Sequence, residues 1–277
     1  MAASLTASGN SCNASEVGEV TSLSGSAIRH SACYDFFRAS SRIILTTIAD
    51  NLMRLHERIA AAAQRAGRSA EEIMLIGVSK THPADKIREA FGAGLRHFGE
   101  NRVQEWEGKH AALADLPATW HLIGHLQSNK AARATNAFTS IDSLDEWALA
   151  QRIDRAAAEK LSAEPKRVLI EVHLGGEETK SGVAEAELPG LAEKILQLEN
   201  VHLAGLMCIP PFLEDQEEVR PYFARLRQLR DNLETRLARR LPVLSMGMSH
   251  DFEAAIQEGA TEIRVGTALF GTRPYPQ

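Results

Sequence analysis

The chain has 277 residues, 44% of them hydrophobic and 24% charged, with a formal net charge of -5. This is an ordinary globular balance, long enough for one large domain or two small ones, and it carries no basic footprint for nucleic acid. The three cysteines, Cys12, Cys33 and Cys208, have neither disulfide-framework nor zinc spacing, and no apolar run approaches the roughly 20 residues of a membrane span. A cytoplasmic protein is expected.

Residues 1–45 stand apart. Met1 to Ser41 is rich in Ser and Ala, shows no helical or strand periodicity and holds two of the three cysteines, so a disordered tail is expected. Arg29, Arg38 and Arg42 suit a transit peptide, but Glu16, Glu19 and Asp35 count against one. A mis-assigned upstream start codon accounts for the stretch equally well. Residues 46–277 are expected to form a single domain.

Leu52, Leu55, Ile59 and Ala63 recur three and four apart, so the pattern predicts an amphipathic helix from Ile48 to Ala66, stopped by Gly67. Met74 to Ser79 reads as a short buried strand ending at Lys80. Pro83 opens a helix through Phe91. Strands are expected at 95–98, 120–123 and 137–141, with Asp142 closing the last and a long helix from Leu144 to Leu161. The second half repeats the pattern, with strands at 167–173, 202–208, 242–245 and 261–265 and helices at 188–198, 219–239 and 250–258. Eight strands alternating with helices match an eight-fold β/α (TIM) barrel in count and size. An open doubly wound sheet is the second choice, although no Gly-x-Gly-x-x-Gly follows a strand.

In a barrel the strand-end groups converge on one face. Here they are Lys80, Asn101, His125, Gln127, Asp142, His173, Met207, Ser249, Arg264, Gly266 and Thr267. A strand-end lysine can be a solvated cap or an amine nucleophile towards a carbonyl. Ser249, Gly266 and Thr267 fall on the loops after strands seven and eight, where barrels commonly hold phosphate; taken singly, Ser249 reads as an N-cap and Gly266 as a turn. Strand alternation turns Arg264 inward, where it needs a partner such as Glu262, Glu171 or a ligand ring nitrogen. An amine and a phosphate cup at one mouth suit pyridoxal 5'-phosphate (PLP).

The sequence resembles the pyridoxal-phosphate homeostasis proteins, the YggS/PROSC family related to the N-terminal barrel of alanine racemase. The matching stretches include Val78-Ser-Lys80-Thr, Phe98-Gly-Glu-Asn-Arg-Val-Gln-Glu105, Leu126-Gln-Ser-Asn-Lys130, Lys180-Ser-Gly182, Leu244-Ser-Met-Gly-Met-Ser249 and Arg264-Val-Gly-Thr-Ala-Leu-Phe-Gly271. They run from about Ile48 to the end; the tail has no counterpart. The resemblance implies a fold-type III PLP barrel with an extra N-terminal helix. In it Lys80 forms the Schiff base, Asn101 lies near the ring oxygen, Ser249, Gly266 and Thr267 hold the phosphate, and Arg264 faces the pyridine nitrogen. Lys180 matches a family lysine whose role stays open, and His250 is given none.

An arginine at the ring nitrogen weakens the electron sink. None of the tyrosines, Tyr34, Tyr222 and Tyr275, is placed as an opposite-face acid, and a second domain to supply one has no room after the eighth strand. The favoured reading is therefore a monomeric carrier without strong turnover, which binds PLP and hands it to apo-enzymes, with no nucleic acid or membrane partner. A one-domain racemase using His125 or His173 as second base, and a Schiff-base aldolase without cofactor, are the alternatives.

Overall fold

The computed structural model describes residues 47–160, 164–175 and 181–272. The tail expected over 1–45, Lys180 and Tyr275 lie outside the described residues. Eight strands close into one parallel barrel in sequence order: β1 (Met74–Val78), β2 (His97–Glu100), β3 (Thr119–Leu122), β4 (Ser140–Leu144), β5 (Lys166–Glu171), β6 (Val201–Met207), β7 (Val243–Met248) and β8 (Glu262–Val265). The barrel rather than the open sheet is the outcome. β1 closes it, pairing Ile76 with His97 on one side and with Arg264 on the other.

Helices pack outside: α1 (Ile48–Arg65), α2 (Ala84–Gly92), α3 (Val103–His110), α4 (Ala131–Ala137), α5 (Trp147–Glu159), α6 (Leu188–Ile195), α7 (Gln216–Leu237), α8 (Phe252–Gln257) and α9 (Thr267–Phe270). The extra helix α1 is started by a Thr47–Asp50 capping box. It buries Leu52, Leu55 and Ile59, donates from Asn51 Nδ2 to Leu269 O at 2.9 Å, and lays Arg58 over the Phe252 ring, 4.5 Å from its centroid. It thus covers α8 and α9, which carry the loops after β7 and β8.

Several boundaries differ from the pattern. β2 starts at His97, because Leu95 N–H still bonds Ala90 O at 3.0 Å, closing the turn after α2. Ala131–Ala137 forms a helix where a loop leading into a strand was expected, so β4 begins at Ser140 and α5 only at Trp147. α7 starts at Gln216, ahead of Val219, since Asp215 Oδ1 caps Glu217 N–H at 2.9 Å. β6 and β7 run so close that a Cβ on Gly205 would lie 2.0 Å from Val243 O; glycine is required there for close approach.

Candidate cofactor site

Inside the barrel, alternation decides which side chains meet. A Cβ on Gly77 would strike Leu95 and Leu269 of the outer layer, whereas one on Gly99 would strike Ile76 and Ile123. Ile76 therefore faces inward and Gly77 outward, and Lys80 follows in the turn two residues past the carboxyl end of β1. Lys80 is half-buried.

Arg264 is only 3% exposed. Its Nη1 donates to Ser245 O at 2.7 Å and Ser245 Oγ at 2.8 Å, and its Nη2 to Cys208 O at 2.7 Å. No ion pair among the described residues includes it, so neither expected protein partner takes it. Glu262 pairs with Arg167 instead. Glu171 feels the Arg264 charge without an ion pair. A buried guanidinium held only by neutral oxygens suits an uncharged acceptor such as a ring nitrogen.

Gly247, at φ +94, bends the chain near the end of β7, where a Cβ would lie 2.6 Å from Ala255 Cβ. The turn brings Ser249 to the start of α9, where its Oγ accepts Gly266 N–H at 3.2 Å and Ala268 N–H at 3.3 Å. The loops after β7 and β8 thus meet, with two main-chain donors on one oxygen, a pattern an anionic oxygen also takes. Gly266 sits beside β1, its Cβ position 3.5 Å from Val78 Cβ. Thr267 opens α9 and is exposed.

Asn101 is half-buried just past β2 and lines a cavity of about 530 Å3 with Arg102, His125, Gln127 and Lys130. His125, with a side chain 54% exposed, places Nδ1 3.4 Å from Asp145 Oδ2. His173 N–H is engaged by Val183 O at 2.9 Å, and Met207 is buried against Leu169 and Ala204 in the barrel interior. Of the strand-end groups, then, Lys80, Arg264, Ser249 and Gly266 gather where β1, β7 and β8 adjoin, while Asn101, His125 and Gln127 lie across β2 and β3.

Burial pushes the Glu171 carboxyl up to about 7, against the pull of Arg264 and with help from Asp145. Unfolded, it ionises near 4.5. Between these values the folded chain holds the extra proton, so stability falls as pH rises. In urea unfolding at pH 5 and 7.5, Glu171→Gln is expected to lose this fall relative to the parent; identical pH dependence would refute the assignment.

Asp142 is a correction. Because β4 runs from Ser140 to Leu144, Asp142 sits mid-strand, and it belongs to a polar layer at the opposite, amino end. There His121 Nδ1 lies 3.2 Å from Asp142 Oδ2 and His121 Nε2 3.2 Å from His97 Nδ1. Arg167 bonds Ser140 Oγ at 2.5 Å, pairs with Asp142 at 3.4 Å and pairs with Glu262. His97 and Glu262, the first residues of β2 and β8, line a cavity of about 720 Å3 at that end. This larger cavity is not where the strand-end groups converge. Burial opposes it, but His121 and Arg167 hold the Asp142 carboxyl below its usual range. Burial and the Asp142 charge push Glu262 up. Donor atoms of His121, Asp142 and Glu262 lie within 4.8 Å of one another, as metal ligands would. Arg167 already spans both carboxylates, which makes the layer a self-neutralising ion network.

The alanine racemase N-terminal domain family matches residues 51–274. The pyridoxal phosphate homeostasis protein of Aquifex aeolicus is 51% identical over 226 residues, 82% of this chain and 98% of that one. Its counterpart from Pseudomonas aeruginosa is 48% identical over 231 residues, 83% and 98% of the two chains. This chain belongs to the pyridoxal phosphate homeostasis protein family. Among solved structures, PipY of Synechococcus elongatus with PLP bound is 44% identical, with a TM-score of 0.72 over 81% of this chain and all of that one. An alanine racemase of Clostridium difficile, at 16% identity and a TM-score of 0.65, shares the fold. The expected family and barrel are both borne out.

Proposed function

We propose that this member of the homeostasis family holds PLP as a Schiff base with Lys80 and takes part in intracellular PLP supply. The observation that carries this reading is Arg264, buried beside the carboxyl end of the barrel with neutral acceptors alone. When bound, the cofactor supplies an aldehyde and an electron-withdrawing ring. Lys80 offers the amine, Ser249, Gly266 and Thr267 the phosphate donors, and Asn101 a contact near the ring oxygen. Arg264 faces the ring nitrogen, to which it donates without giving up a proton, because a guanidinium stays charged. The ring nitrogen is then not a cation, and carbanion formation at an attached carbon is weakly supported.

That chemistry favours holding over turnover. His125 faces Asp145 and Lys80 is one amine on one side, whereas racemisation needs a base on each face. The reading extends to residues 46–277 as the cofactor domain of a cytoplasmic monomer that passes PLP to apo-enzymes. No described helix is long and apolar enough to cross a membrane.

Purified apo-protein titrated with PLP should develop Schiff-base absorbance. Arg264→Ala should weaken retention about tenfold, the scale of one lost hydrogen bond to a charged group. Unchanged affinity in Arg264→Ala would show that the ring lies elsewhere. Racemisation of free amino acids at an ordinary enzymatic rate would overturn the carrier reading.

A further inference from the structure

The turn that carries Lys80 is tied down from outside the barrel. Ser79 and Thr81 flank the lysine, and both engage groups from β2 and α3. Ser79 N–H donates to Gly99 O at 3.0 Å, and Ser79 Oγ to Glu100 Oε1 at 2.7 Å. Lys109 Nζ donates to Ser79 O at 3.0 Å, to Glu100 Oε1 at 3.0 Å and to Glu105 Oε1 at 2.8 Å. Glu105 Oε1 also accepts the Thr81 N–H. Thr81 has φ 67, a left-handed backbone that a β-branched residue avoids unless its surroundings impose it. Glu100 is fully buried, and its Oε2 has no hydrogen-bond partner. That is a costly arrangement for a carboxylate used only to fill space.

We propose that Glu100, Glu105 and Lys109 form a clamp that positions Lys80 for bond formation with the cofactor aldehyde, a condensation in which the neutral amine nitrogen joins the carbonyl carbon and the carbonyl oxygen leaves as water with the two amine protons. The inference rests on the Schiff-base reading above and adds three positioning residues to it. The physical logic is orientational. A lysine side chain has four rotatable carbons, so the backbone fixes little of the amine's position unless the turn itself is fixed. Lys109 grips the carbonyl before Lys80 and Glu105 the amide after it. Both pull towards α3, on the outer side of β1. Neither contact involves Ser249, Gly266 or Thr267, so the clamp should act on imine formation and not on capture of the phosphate.

This separation gives the test. In the parent background, Glu105→Ala and Lys109→Met are each expected to lower the ratio of imine to non-covalently bound PLP about tenfold, the scale of one lost charged hydrogen bond. Absorbance would report the imine, and equilibrium dialysis the total bound. Glu105→Gln retains an acceptor for Thr81 N–H and should restore most of the ratio. In a Lys80→Ala background, the same replacements should leave PLP affinity unchanged, because no imine is left to position. Equal losses in both backgrounds, or no loss in the parent, would overturn the clamp. If the parent itself forms no Lys80-dependent imine, the Schiff-base reading fails first, and the clamp with it. Should Lys109→Met not fold, Glu105→Ala set against Glu105→Gln decides the question.

Discussion

Replacing Arg167 with leucine is expected to cost the barrel about 3 kcal/mol at neutral pH, the lower end of the range for removing one partner of a buried pair. The lower end applies because the Arg167 side chain is 24% exposed. Without it, Asp142 and Glu262 would share the amino end of the barrel with no guanidinium between them. Glu262 would then take a proton, its carboxyl already pushed up by burial and by Asp142. A raised carboxyl contributes stability that is present at low pH and lost as pH rises through the folded value. The deficit should therefore be smaller at pH 5 than at pH 8, which separates a charge effect from a simple packing defect. Adding Glu262→Leu to Arg167→Leu should recover much of the loss, since apolar replacement of a whole buried pair is often neutral. Urea unfolding of the single and double variants measures this, and a pH-independent deficit with no recovery would refute it.

The second large effect concerns the cofactor. Lys80→Ala is expected to abolish Schiff-base absorbance and to weaken PLP retention by about 100-fold, or about 2.8 kcal/mol. The phosphate donors and Arg264 would remain, so residual binding should persist and should be competed by inorganic phosphate. Dialysis against phosphate would distinguish the two modes, with the parent keeping its cofactor and the variant losing it. A variant that retained the absorbance would place the reactive amine elsewhere.

Much of this site could be read from the chain because its parts are local. Lys80 ends an apolar alternating run, and Ser249, Gly266 and Thr267 follow two strands at positions where a barrel offers phosphate donors. The inward turn of Arg264 followed from a period of two. What could not be read was distributed or weakly patterned. His97, His121, Asp142, Arg167 and Glu262 come from five strands and share no spacing, so only the closed barrel reveals their layer. α4, Ala131 to Ala137, buries Ala131, Ala134 and Thr135, whose small side chains give little hydrophobic signal. Its absence from the pattern displaced β4 and with it Asp142. Glu105 and Lys109 stand at a helical i, i+4 spacing visible in the sequence. Their grip on Ser79 and Thr81 is a tertiary contact that no spacing announces.

In the function proposed above, one amine, that of Lys80, holds the cofactor aldehyde. Borohydride reduction of the PLP-loaded protein, followed by proteolysis and mass spectrometry, tests it most directly. A single reduced pyridoxyl-phosphate adduct is expected on the peptide bearing Lys80, and none in Lys80→Ala. An adduct on another lysine, or no adduct in a protein that has bound PLP, would contradict it.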